Sequence, residues 1–378
     1  MGQPPKGARA RGPRWWVRLL LRLTLVATAV VVGAVGTFLA VVLVPTIRDP
    51  SPDFLVRKGE VAAARATSTW KIGDDVVTEV TLSSTSGLVV DLSVRVPSGA
   101  NSPRPLVILL AGQGTGRDAV RHTAETRGIV VAALSYPYRG DVDAGILALV
   151  LDLPDIQRSL LDTIPAIMLA ADWLAGQPYV DPEHVELAGG SLGAFLVSVP
   201  GAMDERFRRV WLVHGGGRPA LVLEHGLKEH IRFAPARRLA AGLLSAAAYG
   251  HHLAPERWVG KISPRPVIVI SALDDESIPR ESVESLHHAL GQPSEVIWMS
   301  GPHVLPGREE IIEKITETVF GRIAEEALGP RAESMSKPVG TVNLARLERG
   351  QPIAVDFGSR QAQVSAFHTT KARARSIR

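Results

Sequence analysis

The sequence predicts an α/β protein built on a mainly parallel central sheet, led by an antiparallel hairpin and preceded by one membrane-spanning helix. Three observations predict it. Short apolar runs of strand length alternate with helix-spaced segments from residue 105 to residue 327, the pattern of strands joined by crossover helices. Two β-rich runs, "VVTEVTL" and "LVVDLSVRV", flank the turn-like "SSTSG", as expected of a hairpin. Leu23–Val44 contains no charge and no proline.

From the N-terminus, residues 1–22 carry six basic residues and no acid. The run 23–44 follows, and about 20 residues suffice to cross a bilayer core. Trp15, Trp16 and all six cations lie on its N-terminal side, which places the N-terminus in the cytoplasm and the rest outside it. A cleaved signal peptide is the alternative. Its apolar region would be shorter, about 7–15 residues, and would end in small residues before the cut. The run here is longer and lacks a clear A-x-A site, so an uncleaved anchor is expected. Residues 45–70 read as a linker, because "PTIRDPSPDF" holds three prolines among polar residues.

The folded body is expected at 71–328. After the hairpin, "PLVILL" (105–110) and "GIVVAAL" (128–134) are almost wholly apolar, as strands buried on both faces are. "GRDAVRHTAETR" between them is helix-like. Asp155–Leu174 carries apolar residues at helical spacing, with Pro165 predicting a kink or break. "VELA" (185–188), "VWLV" (210–213), "PVIVIS" (266–271) and "EVIWM" (295–299) are further strands; Arg280–Leu290 and Glu309–Ala327 are helices. Residues 329–378 are polar and basic and read as a flexible tail.

The net charge is +4, yet residues 1–22 and 331–378 each contribute +6, which leaves −8 for the middle. A nucleic-acid binder concentrates positive charge on its folded body, so that class is excluded. With no cysteine, disulfides, cysteine zinc sites and a cysteine nucleophile are excluded too.

The chemistry centres on "GGSLG" (189–193), where "VELA" gives way to a helical run. A serine in Gly-x-Ser-x-Gly at a strand-to-helix turn stands clear of the sheet, and the turn is so sharp that Gly189 and Gly193 must lack side chains. The helix N-terminus favours negative charge developing beside Ser191. In a chain with 35 glycines, chance alone predicts roughly 0.2 such matches, so the motif is weak without partners. Partners follow in order. "ALDDESIP" after one strand offers Asp274 or Asp275, and "SGPH" after the next offers His303. A serine nucleophile needs a histidine to take its proton and an acid to orient that histidine, in the chain order Ser…Asp…His.

With these motifs, residues from about 75 to 328 resemble α/β-hydrolases of the dienelactone hydrolase/esterase type. The acid stretch resembles the family's "GxxDxx(V/I)P" loop; Ile278 and Pro279 match its end and Ala272 departs from its glycine, which gives Asp275 the acid's place. The resemblance implies an oxyanion hole from the backbone N–H groups of Gln113, in "AGQGTG" (111–116), and Leu192. Ala111 stands where many esterases have histidine. It also implies a lid over the site at 218–260, a stretch much longer than an ordinary loop, with a plain helical crossover as the alternative. His214 ends "VWLV" and either lines the pocket or is structural; Arg139 in "YPYRGD" either faces the pocket or the surface. The adjacent pairs His251-His252 and His287-His288 are expected to diverge at surface or loop positions rather than bind metal. No cofactor and no metal are implied.

The expectation is therefore a membrane-anchored serine hydrolase acting on a small-molecule or lipid-like ester. Ser191 is the nucleophile, His303 the base and then the acid, and Asp275 its orienting partner. A peptidase, thioesterase or acyltransferase would use the same residues, and a non-catalytic binding protein would keep the fold alone.

Overall fold

The computed structural model describes residues 15–99, 102–112, 114–123, 125–138, 140 and 151–329. Gln113, Arg139 and the tail beyond Gly329 lie outside them. The chain forms two compact units divided between Asp49 and Pro50.

The first unit is helix α1, Trp15–Leu43, followed by a 3-10 turn at Pro45–Ile47. The helix starts before the expected Leu23, because Arg18 and Arg22 continue it; arginine is a good helix former. Its apolar window has a mean hydropathy of 2.5. By length and composition it can cross a membrane.

The second unit starts inside the stretch expected as a linker. Helix α2 (Ser51–Lys58) and strand β1 (Val61–Ile72) occupy most of 45–70. Pro52 sits in the first turn of α2, where its missing N–H costs nothing, so the prolines open a helix instead of extending the chain. Phe54 is buried, and Arg57 and Lys58 pair with Asp162 and Asp172 at 2.6 and 2.5 Å.

Eight more strands follow: β2 (Asp75–Ser84), β3 (Val89–Val96), β4 (Arg104–Leu110), β5 (Val130–Leu134), β6 (Val180–Gly190), β7 (Phe207–Val213), β8 (Val267–Ala272) and β9 (Ser294–Met299). They form one sheet in the order β1-β2-β3-β5-β4-β6-β7-β8-β9. β1, β2, β3 and β5 pair antiparallel in turn. All pairs from β5 to β9 are parallel. The predicted hairpin is thus β2-β3, with β1 added at its edge.

Among the described residues of the stretch 116–127, Gly116–Asp118 (3-10) and helix α3 (Ala119–His122) alone are helical. Helix α4 (Leu153–Ala175) runs unbroken through Pro165. Two short helices, α5 (Leu192–Leu196) and α6 (Ser198–Met203), follow β6. Three more, α7 (Pro219–Gly226), α8 (Ala234–Ala247) and α9 (Gly250–Leu253), fill the region between β7 and β8. Helix α10 (Arg280–His288) precedes β9, and α11 (Glu309–Leu328) ends the unit.

Side chains alternate across the sheet. Leu106, Ile108 and Leu110 of β4 share one core with Ile164, Ile167 and Leu174 of α4. Val107 shares the opposite core with Ile311, Ile315, Val319 and Ile323 of α11. Helices therefore cover both faces, which is why the strands read as continuous apolar runs. The sequence runs outward from β4 to β5, then crosses back to β6 on the other side of β4. Chain order reverses there, and the crevice beyond the carboxyl ends of β4 and β6 is where such sheets place their ligands.

Candidate active site

Ser191 caps the end of β6 at that crevice. Its backbone has φ 52° and ψ −117°, a region that L-residues avoid and that surrounding structure must enforce. The enforcement is visible. The Ser191 N–H donates to the Val213 carbonyl at 3.0 Å, and its own carbonyl accepts from Ala194 at 3.0 Å. A Cβ on Gly189 would lie 2.5 Å from the Gly193 carbonyl oxygen, and one on Gly193 would overlap the Leu110 carbonyl. Both glycines are thus required by close approach between β6, the turn and β4, as expected from the motif.

Two loops bring the partners. The loop after β8 carries Asp275 and the loop after β9 carries His303. The two are tied by backbone bonds from Leu273 to Met299 at 2.9 Å and from Asp274 to Gly301 at 3.2 Å. His303 is buried, with Nε2 2.8 Å from Ser191 Oγ and Nδ1 2.9 Å from Asp275 Oδ2. The second oxygen of Asp275 accepts the N–H groups of Ser277 and Ile278 at 2.9 and 2.8 Å. Burial by itself would raise the Asp275 pKa. The bond and charge of His303 and the two backbone donors outweigh it and hold the carboxyl below its ordinary value. Asp274 is exposed and does not reach His303 by side chain.

Two residues without any distinguishing sequence signal hold the histidine's backbone. Glu276 accepts the His303 N–H at 3.0 Å, and Arg308 donates to the His303 carbonyl at 2.7 Å and to Glu276 at 2.5 Å. Although partial desolvation opposes it, the His303 N–H and Arg308 hold the Glu276 carboxyl down to about 2.

His214 does not line the pocket. It is buried behind His303, with ring centroids 5.7 Å apart, and its Nδ1 accepts the Val304 N–H at 2.9 Å. Its backbone N–H donates to the Ile270 carbonyl at 2.8 Å. Burial, then the neighbouring His303, lowers its pKa to about 4. His214, Asp275 and His303 offer donor atoms within 4.8 Å of one another. Those of His303, and Nδ1 of His214, are already engaged in the hydrogen bonds above, so the trio is not a ready metal centre.

The oxyanion donors stand unevenly. Leu192 begins α5 directly after Ser191. Gly112 approaches Ser191 so closely that a Cβ there would meet the serine Cβ at 3.4 Å, and the Ala111 carbonyl is fixed by the Tyr136 hydroxyl at 2.7 Å. The loop after β4 therefore lies against Ser191. Two of the adjacent histidines do not diverge: the rings of His251 and His252 stand 4.1 Å apart and His252 is buried, because a tight turn opens α9.

Ser191 and His303 open into a cavity of about 790 Å³, within the range of small-molecule sites. Leu160 and Phe195 line it from the core side, and Val222, Leu223, Leu244 and Leu253 from α7, α8 and α9. The stretch 218–260 is thus a helical cover over the site.

A nine-stranded sheet with a serine elbow after β6, an acid loop after β8 and a histidine loop after β9 is the α/β-hydrolase fold. Solved structures agree. An acetyl xylan esterase from a Paenibacillus species is similar with TM-score 0.52 and 15% identity, over 71% of this chain and 92% of that one. Acetyl xylan esterase 1 from a Thermoanaerobacterium species is similar with TM-score 0.50 and 15% identity, over 72% of this chain and 94% of that one. No protein-family model matches the chain, and no curated protein matches it significantly.

Proposed function

We propose that the protein is a membrane-anchored serine hydrolase that cleaves carboxylic esters through an acyl-enzyme on Ser191. The observation that carries this reading is the hydrogen-bonded relay from Asp275 through His303 to Ser191 Oγ, at 2.9 and 2.8 Å, opening into an apolar cavity. Ser191 Oγ attacks the ester carbonyl carbon while His303 Nε2 takes the hydroxyl proton. The backbone N–H of Leu192 donates to the oxyanion, and the resemblance to α/β-hydrolases assigns the second donor to Gln113, outside the described residues. The carbonyl re-forms, and the alcohol leaves with the proton from His303. Water then repeats the sequence on the acyl-enzyme and releases the acid. Asp275 stabilises the imidazolium and keeps the Nδ1 proton in place. The resemblance to esterase folds fits this chemistry.

A fluorophosphonate probe labels the wild type and leaves Ser191→Ala unlabelled. Hydrolysis of a p-nitrophenyl ester falls at least about 10³-fold in that variant. Equal labelling of both proteins overturns the assignment. A panel of peptide amides separates an esterase from a peptidase on the same residues.

A further inference from the structure

Helix α8 is apolar on two sides. Its inner side presents Leu244 and Ala247 to the cavity. Its outer side presents Leu239, 66% exposed, and Leu243, 39% exposed, with Phe233, 69% exposed, at its start. Residues 239 and 243 are one turn apart and share a face. The outer leucines have no core to enter, because the inner side of the same helix already faces the cavity. Lys228, Arg232 and Arg238 are exposed in residues 228–238, against one exposed acid, Glu229, and Arg238 pairs with Glu224 at 3.3 Å; the surplus of cations suits a lipid headgroup layer. Only residues 44–49 separate the end of α1 from Pro50, a reach of roughly 20 Å even when extended. A catalytic unit on so short a tether works at a membrane surface.

We infer that the outer face of α8 docks into a lipid bilayer surface, and that the protein draws its ester substrate from that bilayer. The inference rests on the proposed anchor and on the proposed ester chemistry. Phe233, Leu239 and Leu243 enter the headgroup region, and the inner face of the same helix forms the cavity wall. An ester with an apolar chain then passes from lipid to the leucine-lined cavity without exposing that chain to water.

The chain has no cysteine, so one introduced cysteine carries one label. Full-length Leu239→Cys, bearing a polarity-sensitive fluorophore, is reconstituted into phosphatidylcholine–phosphatidylglycerol vesicles. Glu317→Cys on α11, where the side chain is 66% exposed, is the reference. Nitroxide lipids quench the label at 239 and not at 317. Water-like emission at both positions overturns docking. Apolar emission at 239 without lipid quenching overturns it too, because protein then covers the face. Leu239→Glu/Leu243→Glu lowers hydrolysis of a vesicle-dissolved long-chain ester by about tenfold or more, from the lost burial of two leucines. Its rate on a water-soluble acetate ester stays at the wild-type level. Equal rates of the two proteins on the vesicle ester count against docking. Release of the chain by alkaline carbonate defeats the anchor instead, and failure of fluorophosphonate labelling defeats the ester chemistry; neither result mimics a docking failure.

Discussion

His214 shows how one buried side chain sets a pH limit on the molecule. Its imidazole is neutral in the fold, because Val304 donates to Nδ1 and burial lowers the pKa from 6.5 to about 4. In the unfolded chain it titrates near the ordinary value of 6.5. Between those values the unfolded state binds one more proton than the folded state. Stability therefore falls as pH drops through that window, by about 1.4 kcal/mol per pH unit for a full proton. His214→Asn keeps an acceptor for the Val304 N–H and removes the titration. Its slope of unfolding free energy against pH is shallower than the wild type's between pH 6.5 and 4, measured by urea unfolding at stepped pH. An unchanged slope means that His214 is not held neutral. Glu276 acts in a lower window. Its pKa falls from 4.5 to about 2, so its contribution is present above 4.5 and is lost only as pH drops from there toward 2. The two windows barely overlap, which lets one titration separate them.

At the scale of elements, Arg95 on β3 joins three parts of the edge. Its guanidinium is buried, bonds Asp75 of β2 at 2.9 Å and donates to the Thr123 carbonyl, just past α3, at 2.6 Å. Arg95→Met leaves Asp75 and that carbonyl without the cation and costs about 3 kcal/mol of stability, read as a lower denaturant midpoint. A midpoint within the wild-type error overturns the role. Strands such as β4, β5 and β8 were legible in the sequence because they are buried on both faces. β1 was not, because most of its residues are exposed and no alternation marks a core side. α2 was hidden by prolines that also suit a linker. Of the kink or break that Pro165 predicted, the break is absent, because α4 packs against the sheet on both sides of it. In the site, Ser191, Asp275 and His303 were legible because a strand-end chemistry fixes their order. Glu276 and Arg308 were not, because they act on the backbone of His303, and any acid or cation in those loops looks alike. His214 was placed at its strand end correctly but its direction, behind His303, depends on a backbone φ of 49° that no residue type announces.

At the scale of the whole molecule, charge is partitioned unevenly along the chain, and this supports the proposed orientation. The six cations at residues 6–22 lie on the N-terminal side of the apolar run 23–44, and the body between the two basic ends carries −8. Cytoplasmic flanks are the basic ones, which supports the proposal that the N-terminus is inside and the second unit outside. Under the proposed orientation and docking, the ester is drawn from the outer leaflet. Right-side-out membrane vesicles test the arrangement. The tail holds nine lysines and arginines, and all but Lys337, which precedes Pro338, offer trypsin a cleavable bond ahead of a C-terminal epitope. Added trypsin removes a C-terminal epitope while an N-terminal epitope survives until detergent opens the vesicle. The reverse pattern, with the N-terminal epitope lost first, places the catalytic unit in the cytoplasm and moves the docking face to the inner leaflet. Loss of both epitopes without detergent means that the helix does not cross. The proposed ester chemistry of Ser191 stands under any of these outcomes, because the relay that supports it lies wholly within the second unit.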